Sequence, residues 1–200
     1  MACCVAENIE GYNNNITILS DWLAAQAQGS YDHGIPIMYC MDQPWFLTNA
    51  LQLPLRGHAD REVMTRASGD YIPGDNIGQW AVGKSSILSW SLSVFPYKDT
   101  FYTNTSQHQP QKGCQFYGFK EQYPTTHAIA ASLSAGPVAF SDGPGNTNKS
   151  LIMQTCTADG TLLKPDKPAM AIDRTWDYLA FNDTSGPQGE VWATSVYPWI

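Results

Sequence analysis

The chain has 200 residues, 43% of them apolar, with seven Trp, and can bury one sizeable core. Only 14% are charged and the net charge is −7, so no basic stripe exists to displace counterions from a phosphate backbone and a nucleic-acid partner is excluded. No apolar run approaches the roughly 18 to 20 residues that span a bilayer, and "MACCVAENIEGYNNN" lacks a basic start followed by a long apolar stretch, so neither a membrane partner nor a signal peptide is expected from it.

Taken in chain order, Ile16, Leu19, Leu23 and Ala27 follow helical spacing, with Asn15 as N-cap and Gly29 as stop. "GIPIMYC" (34 to 40) reads as a strand, "DQPWFLTNALQL" (42 to 53) as a short helix and "REVMTRAS" (61 to 68) as a second strand. "NIGQWAVGKSSILSWSLS" (76 to 93) is a longer helix with Trp80, Ile87, Leu88 and Leu92 inward. A third strand follows at "VFPYKDTFYT" (94 to 103). A polar loop leads to the helix "PTTHAIAASLSA", a fourth strand "GPVAFSD" (136 to 142) and a helix at "KSLIMQTC". Alternating units of this kind imply right-handed crossovers and a parallel sheet covered by helices, an α/β class. After Asp159-Gly160 the pattern changes to short extended runs rich in Pro, Trp and Tyr. Residues 1–160 are therefore assigned to the α/β part and 161–200 to the start of a β-rich element.

Five cysteines without CxxC spacing and four scattered histidines give no metal-ligand pattern, and no metal or other cofactor is expected. Asn-x-Ser/Thr occurs at Asn15, Asn104, Asn148 and Asn182, candidate glycosylation acceptors that lean towards a secreted or lysosomal address.

Each predicted strand carries an aspartate at, beyond or near its carboxyl end: Asp42, Asp70, Asp99 and Asp142. In parallel α/β barrels that rim holds the substrate and the catalytic groups. Aspartates in such loops also serve as helix N-caps, and both readings stay open for Asp42 and Asp142. "SDGPGNTN" could suggest a phosphate cradle, but neither GxGxxG nor GxxxxGK[ST] is present. Two-residue periodicity puts Arg66, Ser68 and Asp70 on one strand face, a row suited to a site.

"RASGDYIP", "FPYKDTFYT", "HAIAASLSAGPVAFSDGPG" and "TADGTLLKPDKPAMAIDRTW", in this order, resemble the C-terminal half of the barrel in the melibiase-like glycosidases, the α-galactosidases and raffinose synthases. The resemblance spans roughly residues 34 to 177, and its most specific parts are Arg-x-x-x-Asp and the "SDGPG" strand end followed by the "DG" turn. It implies strands five to eight of a (β/α)8 barrel. It also implies that Asp70 is the general acid/base, with Arg66, Asp42, Trp80, Lys98, Asp99 and Asp142 available to a carbohydrate substrate.

Two departures stand out. Raffinose synthase-like members often have adjacent acidic residues where this chain has Gly69-Asp70. The family's nucleophilic aspartate ends the fourth barrel strand, and the resemblance begins just after it. A retaining glycosidase needs two carboxyl groups about 5 to 5.5 Å apart, one to form the glycosyl-enzyme and one to protonate the leaving oxygen. The expected function is therefore a fragment of a retaining glycosidase or galactosyl transferase acting on α-galactosides, inactive alone. The alternative is a non-catalytic remnant that binds carbohydrate or a partner. Half a barrel also leaves sheet edges uncovered, so self-association is expected.

Overall fold

The computed structural model describes residues 14–15, 17–40, 64–74, 78–108, 118–181 and 191–196. They hold helices and five short strands, with no closed barrel among the described residues. The chain divides into two compact units, Met1–Arg66 with Leu92–Val94, and Ala67–Ser91 with Phe95–Ile200.

In the first unit, helix α1 (Ile18–His33) starts later than the apolar spacing suggests. Asn15 Oδ1 accepts from both the amide and the hydroxyl of Thr17 at 2.9 Å, and the Thr17 hydroxyl reaches Asp21 at 3.0 Å. Asn15 thus closes an Asx turn before the helix. Gly29 does not stop the helix. Gly34 does, at φ 69°, where its left-handed backbone lets its amide and that of Ile35 turn back onto the last carbonyls. Leu23 and Tyr39 form a small core with Trp22 and Ile37 packed against it. Strands β1 (Met38–Tyr39) and β2 (Met64–Arg66) pair in parallel, Met38 opposite Met64 and Tyr39 opposite Thr65. The helix expected at 42–53, with Asp42, lies outside the described residues, as do Ile16 and the side chain of Leu19.

In the second unit, helix α2 (Val82–Ser91) buries Val82, Gly83, Ser86 and Ser89. Its inward face is thus made of small residues, and Leu88, expected inward, is 55% exposed. Close approach explains the choice: a Cβ on Gly83 would stand 2.2 Å from the Trp192 ring. The inner face of α2 packs on β4 (Lys167–Ala171), which pairs antiparallel with β5 (Trp192–Ser195). Between them runs α5 (Asp173–Phe181), where extended runs were expected. Asp173 in its first turn suits the positive end of the helix dipole.

Strand β3 (Phe95–Tyr97) receives a hydrogen bond from the Ala67 amide at Tyr97 O, 2.9 Å. The chain runs on to Phe101, which bridges Phe140 in parallel. That bridge is what remains of the strand expected over 136–142: Pro137 has no amide to donate, Ala135 sits at φ 67°, and a Cβ on Gly136 would lie 2.5 Å from Pro96 O. Helix α3 (Pro124–Ser132) buries His127, Ala128, Ala130 and Ala131. Short α4 (Lys149–Ile152) is capped by Asn148, whose side chain accepts from the Leu151 amide. Phe101, Ala128, Ala131 and Leu151 are the centre of this unit's core.

Candidate active site

Residues 68–71 belong to the second unit and are held there by hydrogen bonds. The Asp99 amide donates to Ser68 Oγ at 2.9 Å. Gly69 donates its amide to Gly78 O at 2.7 Å and accepts at its carbonyl from Gln79 Nε2, also at 2.7 Å. The Tyr71 amide donates to Asp99 Oδ2 at 2.8 Å, and the Tyr71 hydroxyl donates to Glu121 Oε2 at 2.6 Å while accepting from the Tyr102 amide at 3.0 Å. Asp70, between these fixed neighbours, is exposed. The glycine at 69 has a physical reason. A Cβ there would come to 3.1 Å from Gly78 Cα, so an acidic side chain would push the two backbones apart by tenths of an ångström.

Behind the loop lies a buried polar cluster. Lys98 is fully buried, its Nζ donating to Gln79 Oε1 at 2.8 Å and to Asp99 O at 3.0 Å, over the rings of Phe101 at 5.2 Å and Tyr71 at 5.6 Å. Burial pulls its pKa down to about 7, against the opposing pull of the Asp99 and Glu121 carboxylates. His127 is also fully buried, sandwiched between Trp80 (centroids 5.0 Å) and Phe101 (5.8 Å), with Nε2 3.3 Å from Glu121 Oε2. Burial, aided by the positive Lys98, pushes it down to about 3, so the pair is a neutral imidazole beside a carboxylate. Glu121 also accepts from the Tyr123 amide at 2.6 Å. Burial and the Glu121 bond raise the Tyr71 phenol.

The predicted residues therefore separate. Asp99 holds the Tyr71 and Thr100 amides, one on each oxygen. Asp142 accepts from the Thr103 amide (2.8 Å) and hydroxyl (2.7 Å) and from Gln107 Nε2. Lys98 points inward. Arg66 ends β2 in the first unit, whereas Ser68, which is buried, and Asp70, which is exposed, belong to the second. Trp80 places one face on His127 and lines, with Trp192, Thr126, Ile129, Ala130 and Leu133, an apolar cleft of about 460 Å³. Asn104 accepts from Ser106 and donates to Asn146 O. Asn182 and Asp42 lie outside the described residues. Among the described residues no group of three His, Cys, Asp or Glu side chains could hold a metal ion, and no helix is long and apolar enough to cross a membrane.

Gln79, Glu121, Tyr71 and His127 were not singled out from the sequence. A histidine inside the Ala-rich run "THAIAAS" was the one local signal. Compared with known proteins, the chain matches no family model and no curated protein. The likeness to melibiase-like glycosidases rests on the quoted residues alone.

Proposed function

We propose that Asp70 is the general acid/base of a retaining site that processes α-galactosides, and that this chain carries the C-terminal half of a (β/α)8 barrel, strands five to eight, with the nucleophile supplied from outside residues 34–177. One observation carries the reading: Asp70 is exposed on a loop held through its neighbours Ser68, Gly69 and Tyr71, and the carboxylates of Asp99 and Asp142 accept from backbone amides. Acid/base work needs a carboxyl group on a well-held segment that a leaving oxygen can reach. The parallel bridge Phe101 to Phe140 and the Ala67 to Tyr97 bond also fit strand ends sharing one rim.

The same commitments favour a second reading for the chain alone, a carbohydrate-binding remnant without turnover, because neither Asp99 nor Asp142 is placed to become the missing nucleophile. The test joins the chain to the upstream barrel half of a melibiase-like enzyme and compares Asp70→Asn with the unmodified protein. Loss of general acid catalysis lowers the rate on an unactivated galactoside about 10² to 10⁴-fold. The loss is smaller on an aryl galactoside of low leaving-group pKa, where azide restores turnover by replacing base-activated water. Equal activity of both proteins on both substrates, or an equal loss without azide rescue, overturns the assignment.

A further inference from the structure

Gln79 is fully buried and uses both ends of its amide at once. Its Oε1 accepts from Lys98 Nζ at 2.8 Å, and its Nε2 donates to Gly69 O, the carbonyl directly before Asp70, at 2.7 Å. An amide so held cannot flip, because the reversed group would face Lys98 with a donor and Gly69 O with an acceptor. Lys98 is fixed in turn by Asp99 O and by the faces of Tyr71 and Phe101. We propose that Lys98 is a positioning residue acting through Gln79, fixing the orientation of the Gly69 peptide and thereby the direction in which Asp70 is presented. The proposal rests on the acid/base reading for what the orientation serves, though not for the mechanical link itself.

Two features support the chain of contacts over simple packing. A long cationic side chain is expensive to bury, and an apolar residue would fill the same space between Tyr71 and Phe101 more cheaply. The other anchors of the loop, Gly78 O on Gly69 and Asp99 Oδ2 on Tyr71, hold amides, and the Gly69 carbonyl takes a longer 3.3 Å bond from the Ser68 hydroxyl beside the 2.7 Å one from Gln79. The groups facing Lys98 are Gln79, the Asp99 and Glu121 carboxylates, and the Tyr71 and Phe101 rings; neutral His127 is also close enough to feel its charge. Its pKa near 7 means that the Gln79 contact weakens from a charge-assisted to a neutral hydrogen bond as pH rises through that value.

The experiment is residue-resolved amide exchange on the full chain, with the amides of Gly69 and Tyr71 as reporters and those of Ala128 and Ala131 in α3 as internal reference. Lys98→Met is expected to speed exchange at Gly69 at least tenfold and leave the reference unmoved. Gln79→Glu, which can still accept from Lys98 but can no longer donate to Gly69 O, is expected to do the same. Combined with Gln79→Leu, Lys98→Met should add nothing further at Gly69. In the unmodified chain, exchange at Gly69 corrected for intrinsic base catalysis should step upward near pH 7, and the step should vanish in Lys98→Met. Unchanged Gly69 exchange, an undiminished Lys98 effect in the Gln79→Leu background, or equal loss of protection throughout α3 in both single variants overturns the proposal. If instead these results hold while Asp70→Asn leaves galactoside turnover unchanged in the joined enzyme, the positioning link stands and the acid/base reading fails.

Discussion

Asp70 and Asp142 are the same residue type at corresponding places, each just past an extended segment, and the fold employs them in opposite ways. At Asp142 the neighbouring segment offers donors: the Thr103 amide and hydroxyl and the Gln107 side-chain amide converge on the carboxylate, which becomes a fixed part of the loop. The loop around Asp70 is held through Ser68, Gly69 and Tyr71, and the Asp70 side chain is exposed. What surrounds a strand-end aspartate, more than its position along the strand, decides whether its carboxylate is drawn into holding the backbone. The interior cluster stands behind this difference, since Lys98, Gln79 and Glu121 all hold the Asp70 loop from within.

The largest effect should come from removing Glu121. Glu121→Ala takes away the acceptor for the Tyr71 hydroxyl and the Tyr123 amide and leaves Lys98 buried without a carboxylate it faces. Breaking a buried charged cluster on one side typically costs about 3 to 5 kcal/mol, and urea unfolding should show a loss of that order. Lys98→Met, which replaces the buried charge by an apolar chain of similar length, should be near neutral or stabilising in the same assay. A large loss for Lys98→Met would mean that the ammonium is a structural pillar and would blunt the contrast between loop and interior.

The pH response is of similar size. His127, lowered from 6.5 to about 3, stays neutral in the fold while the unfolded chain takes up a proton, so stability falls as pH drops from 6.5 towards 3. Lys98, lowered from 10.5 to about 7, works in the same direction over a higher window: stability falls as pH drops from 10.5 to 7. At about 1.4 kcal/mol per unit, each group contributes at most about 4 to 5 kcal/mol across its window. The raised Tyr71 and Tyr102 act oppositely, and stability falls once pH exceeds the ordinary tyrosine value of 10. The urea midpoint should therefore rise from pH 7 to 9 in the unmodified protein and stay nearly flat over that interval in Lys98→Met. Parallel curves for the two proteins would show that Lys98 is not the titrating group.

How much of this could be read from the sequence follows the range of the forces involved. Helix α3 was legible because Pro124 at its start and the apolar run after it are local signals. The tail reads as β-rich from its Pro- and Trp-punctuated runs, and β4 and β5 pair within it. Helix α5 was not legible, because Trp176 and the aromatic residue at 178 read as strand formers while the Asp173 start was overlooked. In α2 the sequence pattern points to the larger side chains as the buried face. The Trp192 ring, more than a hundred residues away in sequence, reverses that by demanding glycine at 83. For the site, Asp70, Lys98 and Asp99 were visible as charged residues at strand ends. Their division into exposed, buried and backbone-holding was not, because it depends on Gln79 and Glu121, partners that no spacing rule links to them.

Asp142→Ala should rank third. It leaves the Thr103 amide and hydroxyl, on a residue with no exposure, without their acceptor. Stranding buried donors costs about 1 to 3 kcal/mol. The Thr103 hydroxyl also accepts from the Asn148 amide, so α4, which Asn148 caps, should lose amide protection along with it. Unchanged protection in α4 would show that this strand end is less tightly built than its hydrogen bonds imply.

The smallest expected stability change is at Asp70. Asp70→Asn keeps the side-chain volume at an exposed position, so the unfolding free energy should move by no more than about 0.5 kcal/mol. Set beside the loss of about 1 to 3 kcal/mol expected at Asp142, this is the sharpest form of the comparison: two strand-end aspartates, one accepting from a buried segment and one exposed. A group kept for chemistry is characteristically one whose removal the fold tolerates while the reaction does not. If Asp70→Asn destabilised the chain as much as Asp142→Ala, Asp70 would be one more backbone-holding carboxylate, and the difference on which the acid/base assignment rests would disappear.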